Sequence, residues 1–182
     1  MSRNGAFGLG DPAPFIELPD TAGALHTLPE AGDVPATIVL WTGNGCPYAL
    51  AWHERLMAVA RDAQAQGVRT LAVNSNDAER SPADSPAAMR ARVEAGDFAC
   101  PYLHDADQSV AGSFGALTTP DLFVLDSDLY LRYRGAPDAD HENPSEDAAW
   151  LRDALDCVLR GARVENPETK PVGSAIEWRD DP

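Results

Sequence analysis

Apolar and polar residues alternate in two short runs, Phe15–Leu18 and Ala24–Leu28, on either side of Asp20-Thr21-Ala22-Gly23. A period of two around a Gly-containing turn predicts a β-hairpin. Ala36–Trp41 is β-rich and apolar on both faces, as a central strand of an α/β sheet would be. After the Gly43-Asn44-Gly45 break, Pro47–Gln66 carries Leu50, Leu56, Met57 and Ala60 at helical spacing, and Gly67 follows as a C-terminal cap. Val68–Val73 reads as a second buried strand. These pieces form a βαβ unit with a right-handed crossover.

Downstream, Asn74–Asp84 is a polar loop, and Ser85-Pro86 opens a helix that runs to about Ala95. Ala99–Leu103 is short and extended, and Asp107–Phe114 is a turn or two of helix ending at Gly115. Leu122–Leu125 and Leu129–Arg134 are strands around Asp126-Ser127-Asp128, a second hairpin. Ser145–Arg160 predicts an amphipathic helix capped by Ser145, with Trp150, Leu151, Ala154, Leu155 and Val158 facing inward. The Pro-punctuated stretch Ala162–Pro182 is expected to lie over the body as an extended tail. There is no internal repeat or linker, so residues 1–182 predict a single domain. The order hairpin, βαβ, helix, hairpin, helix is that of an α/β thioredoxin-like fold: a central mixed sheet flanked by helices, with an N-terminal hairpin extension.

Charge narrows the partners. Lys and Arg number 14 against 29 Asp and Glu, a net charge of −15. Such a surface repels phosphate backbones and anionic lipid, so neither nucleic acid nor membrane is an expected partner. The longest apolar run, Ala36–Trp41, is far short of a bilayer span. The stretch after Arg3 has no apolar core of a secretory signal, so a cytoplasmic protein is expected. The three cysteines, Cys46, Cys100 and Cys157, are odd in number and form no C-x-x-C. That pattern fits a reducing compartment with one special thiol rather than a structural zinc site.

Cys46-Pro47 stands where a buried strand hands over to a long helix. The thiol would face unpaired N–H groups and the positive end of the helix dipole, which favour the thiolate, the nucleophilic form. Pro47 at the first helical position has no N–H to leave unsatisfied. Thr119-Pro120 precedes the strand at Leu122. A cis bond there would set a backbone edge beside the helix N-terminus, where a substrate's main chain can pair. Tyr48 and Trp52 are expected to wall the thiol. Asn74-Ser75-Asn76-Asp77 lies on the ligand side of an open sheet, with a loop staple as its alternative role. His53, about 10 Å of helix rise from Cys46, reads as a surface residue, and Cys157 as a core cysteine. His104-Asp105-Ala106-Asp107 is not read as a metal site, and no cofactor is expected.

The stretches Asn44-Gly45-Cys46-Pro47-Tyr48, Asn74–Asp77, Asp84-Ser85-Pro86, Pro101–Asp105, Thr119-Pro120-Asp121 and Val172–Trp178 resemble the redoxin family related to peroxiredoxins, of the alkyl hydroperoxide reductase/thiol-specific antioxidant type. The resemblance runs nearly end to end. It implies a thiol-dependent oxidoreductase that reduces hydroperoxides or disulfides through Cys46. It also implies further cysteines at positions occupied here by Gly43, Thr118 and Ser174, while the thioredoxin-type partner position is Ala49. An external thiol would then resolve the oxidised Cys46, with Cys100 as the possible internal resolving residue. The peroxide-binding Thr and Arg of such proteins correspond to Gly43 and Pro120, leaving Thr42 or Asn44 as substitute donors. The expected partners are a small hydroperoxide or disulfide, an external thiol reductant and, for assembly, a second copy in a homodimer. A scaffold protein without a redox cycle and a recruited enzyme acting on a small molecule in the same cleft are the alternatives.

Overall fold

A computed structural model describes residues 6–180. The reading around Arg3 and the end of the tail at Asp181 and Pro182 lie outside the described residues. The predicted hairpin is present as β1 (Glu17–Pro19) and β2 (Leu25–Thr27), antiparallel. The βαβ unit is β3 (Ala36–Trp41), α1 (Pro47–Ala65) and β4 (Arg69–Asn74), its two strands parallel. A 3-10 turn at Pro82–Asp84 leads into α2 (Pro86–Glu94), capped by Ser85, whose hydroxyl accepts the Ala88 N–H. Then come β5 (Tyr102–His104), α3 (Ser109–Phe114), β6 (Thr118–Thr119), β7 (Asp121–Asp126), β8 (Leu131–Gly135), α4 (Ala149–Leu159) and β9 (Ser174–Ala175).

Five strands form the central sheet in the order β5-β4-β3-β7-β8, with β4 and β5 parallel to β3 and β7 antiparallel to it. This is a thioredoxin-like fold. Strand alternation explains why β3 is buried throughout. Ala36, Ile38 and Leu40 join the layer under α1 and α4, while Val39 and Trp41 join the layer on the other face, with Ile16, Phe114 and Ile176. Trp41, Phe114 and Phe123 fill that second layer, with ring centroids 5.0–5.4 Å apart.

Two expectations are corrected. The last helix begins at Ala149 rather than at Ser145. Ala148 has φ 65° and donates its N–H to the buried Asp138 carboxylate, while the Ser145 N–H is turned back on Asn143 Oδ1. Asp138 also accepts from the Trp52 indole at 2.7 Å and from Arg55 at 3.0 Å, so this carboxylate, not Ser145, decides where the helix starts. Trp150, expected inward, is exposed, and so is Leu50. In the tail, the backbone at Glu168 forms a parallel β-bridge with Arg134, and β9 pairs with β6.

Candidate functional site

The loops beyond Trp41, Asn74 and His104 and the approach to Asp121 meet at one end of the sheet, where Trp41 pairs with Val73 and with Asp121. Cys46 sits there, buried, as the N-cap of α1. Its backbone is extended, and its sulfur accepts the Ala49 N–H at 3.4 Å. A helix that opens with Pro47 and has no acidic residue in its first turn leaves that sulfur as the acceptor for the helix's unpaired donors.

Two further groups reach the sulfur: the thiol donates to the Thr119 carbonyl at 2.7 Å, and the Ser174 hydroxyl lies 3.4 Å away. The Thr119 hydroxyl is buried with no hydrogen-bond partner. Burial by itself pushes the thiol up. The Ser174 hydroxyl, the Ala49 N–H and the Ser174 backbone help to outweigh it and hold Cys46 below the ordinary thiol value. The Thr119–Pro120 bond is cis, and Pro120 is buried beside the site.

Most of the remaining predicted residues are structural. Asn74 is fully buried; its Nδ2 donates to Asp84 Oδ1 and the Tyr102 hydroxyl, and its Oδ1 accepts the Asn76 N–H. Asn44 is equally committed: Nδ2 donates to the Ala83 carbonyl, and Oδ1 accepts from Tyr102 and Arg92. At the centre of this network Asp84 accepts from the Asn44 N–H, Asn74, Asn76 and Ser81 at 2.5–2.9 Å. Asn44 is therefore not a free donor for substrate, and the loop-staple role holds for Asn74. Thr42 is buried, and its N–H bonds the Val73 carbonyl. Tyr48 and Trp52 pack at a tilt against His141, 4.7 and 5.4 Å between centroids, so their aromatic contacts run to the loop after β8.

Gly43 has a steric reason to lack a side chain. A Cβ there would stand 2.7 Å from Asn76 Nδ2 and 3.5 Å from the Thr119 hydroxyl. His53, expected at the surface, is buried against Phe98 and bonded to the Asp97 carbonyl, and burial lowers its pKa. Cys157 is half-buried on the first core layer.

Cys100 is not brought to Cys46. It lies two residues before Tyr102, which pairs with Ala72, and it lines a cavity of about 270 Å³ with Gly67, Arg69 and Thr70 at the far end of β4. That offset is roughly 10 Å along the strands, beyond the reach of a disulfide. Burial pushes the Cys100 thiol up to about 12, leaving no reactive thiolate.

Ser174 is the site residue that the sequence reading missed, since it figured there only as an empty cysteine position. Its signal was the Gly173 before it: a Cβ on Gly173 would run into the Thr119 carbonyl, so the tail can approach β6 closely only with glycine.

Residues 9–134 match the AhpC/TSA family. A hypothetical protein from Sinorhizobium meliloti 1021 superposes with a TM-score of 0.90 at 38% identity, over 97% of this chain and 97% of that one. An uncharacterized conserved protein from Geobacillus kaustophilus gives 0.90 at 34% identity, over 97% and 95%. The thiol:disulfide interchange protein DsbE of Allochromatium vinosum is 27% identical over 152 residues, 82% of this chain and 75% of that protein. With its helix-capping cysteine set against a cis-proline and its match spanning most of the sheet, the chain belongs to the AhpC/TSA family of thiol-dependent redoxins.

Proposed function

We propose that the protein is a single-cysteine thiol oxidoreductase that reduces hydroperoxides or small disulfides through Cys46, with an external thiol completing the cycle. The observation that carries this reading is the sulfur itself, capping α1 and held below the ordinary thiol value, with Cys100 out of its reach. The Cys46 thiolate attacks a peroxide oxygen, forming the S–O bond and breaking the O–O bond. The alkoxide leaves and takes up a proton as the alcohol, and the sulfur is oxidised to sulfenic acid. The Thr119 hydroxyl is the free donor for a peroxide oxygen. An external thiol condenses with the sulfenic acid, releasing water and forming a mixed disulfide, and a second thiol displaces Cys46 as the external disulfide. A disulfide substrate enters at the mixed-disulfide stage and releases its own thiolate. Such a cycle belongs in a reducing compartment, which the cytoplasm provides.

The test is iodoacetamide labelling at neutral pH, followed by intact mass after stoichiometric peroxide. Cys46 alkylates ahead of Cys100, and peroxide adds one oxygen at Cys46. A rapid loss of two hydrogens mapped to Cys46–Cys100 refutes the single-cysteine cycle. A Cys46 no faster than Cys100 makes the protein a redox-inert scaffold.

A further inference from the structure

The backbone edge at Thr118–Thr119 lies beside the sulfur and, in a redoxin site, is where an extended substrate chain would add as a strand. That edge is already taken. β9 pairs antiparallel with β6, Thr118 opposite Ala175 and Thr119 opposite Ser174, and the Ile176 N–H bonds the Leu117 carbonyl.

The occupant is fastened on both sides. Ile176 is buried in the second core layer. Beyond it, the Glu177 N–H bonds Asn76 Oδ1, and the Glu177 carbonyl accepts from the Asp77 N–H and from Gln108 Nε2. The Arg179 N–H bonds Gln108 Oε1, and Arg80 donates to the Trp178 carbonyl. The segment thus closes a gap between β6 and the Asn76–Asp77 loop, directly over Cys46.

We propose that residues 173–178 are a built-in strand that fills the peptide-docking edge and confines the Cys46 site to small, non-peptide substrates. This rests on Cys46 being the nucleophile and adds the substrate class: a hydroperoxide or low-molecular-weight disulfide reaches the sulfur, and a disulfide within an extended protein segment does not. The strand excludes by occupying hydrogen-bond partners and space at once, so opening the edge exposes both.

Gly173→Val provides the test, because a side chain at that position collides with the Thr119 carbonyl, and the Ile176 side chain itself is unchanged. A second variant, truncated after Val172, removes the strand outright, and circular dichroism reports folding of both. The probes are the mixed disulfide of thionitrobenzoate with cysteine, and the same disulfide at the centre of an extended peptide. The readout is the ratio of the two rates of thionitrobenzoate release, because loosening Ser174 slows Cys46 towards both probes alike. The intact protein prefers the cysteine probe by about tenfold or more, the factor that about 1.4 kcal/mol represents. In whichever variant folds, the two rates converge. An unchanged ratio in a folded variant, with Cys46 still alkylated ahead of Cys100, overturns the role of the strand and leaves the nucleophile standing. A Cys46 inert towards iodoacetamide and both probes in every protein overturns the two readings together.

Discussion

Ala49 and Ser174 approach one sulfur from distant parts of the chain, and their contributions separate by mutation. Ala49 acts through its backbone, whereas Ser174 acts through its side chain. A hydrogen bond to a charged group contributes about 1.5–3 kcal/mol, and one pKa unit corresponds to about 1.4 kcal/mol. Replacing Ser174 with Ala therefore raises the Cys46 pKa and slows alkylation at neutral pH by about tenfold. A pH-rate profile of iodoacetamide labelling reads both effects; a profile that coincides with wild type removes Ser174 from the site. Cys46 as a helix cap was legible because Gly-Asn-Gly, Cys and Pro are adjacent in the chain. Ser174 was not, because its contact with Cys46 crosses 128 residues and leaves no local pattern. His53 was misread for a related reason. Helix rise fixed its distance from Cys46 but says nothing of Phe98, which buries it from another segment.

Between elements, the turn that delivers α1 is clamped to the turn that delivers α2. Asp84, from the 3-10 turn before α2, holds Asn44 and Asn76 together, and Gly43 fits because nothing projects from it. Gly43→Ala drives a methyl group into Asn76 and parts it from Asp84. The expected loss is about 1–3 kcal/mol of unfolding free energy, the range for overpacking and for an orphaned buried polar group. Urea denaturation measures it, and a loss below about 0.5 kcal/mol, the scale of a neutral surface change, contradicts the clamp. The central strands and long helices of this fold were readable from periodicity, because burial imposes a period on each, whereas the two-residue strands β6 and β9 were not. The start of α4 was not. Its position follows from a carboxylate at Asp138, which lies outside the helix and looks like any other acid in an acidic chain.

For the molecule as a whole, Asp121 ties stability to pH. It is fully buried with Oδ1 unpaired, and burial pushes it up to about 6, against the pull of Arg134 at 3.4 Å. Its folded pKa is above its unfolded value, so the folded state holds the proton more tightly. Stability from this group is present below about pH 4 and is lost as pH rises to about 6, on the order of 3 kcal/mol in total. Asp121→Asn should flatten that part of the stability curve relative to wild type. Parallel curves from pH 4 to pH 6 would show that Asp121 is not the responsible group. The pairing of β9 with β6 also has a consequence in time. At about 5–20 residues per second, a ribosome needs about 6–26 s to make the 128 residues that separate Cys46 from Ser174. Throughout that interval the nascent chain carries Cys46 without its hydroxyl partner and without the strand that pairs with β6. If β9 screens substrates as proposed, each molecule is least selective before Ser174 is made.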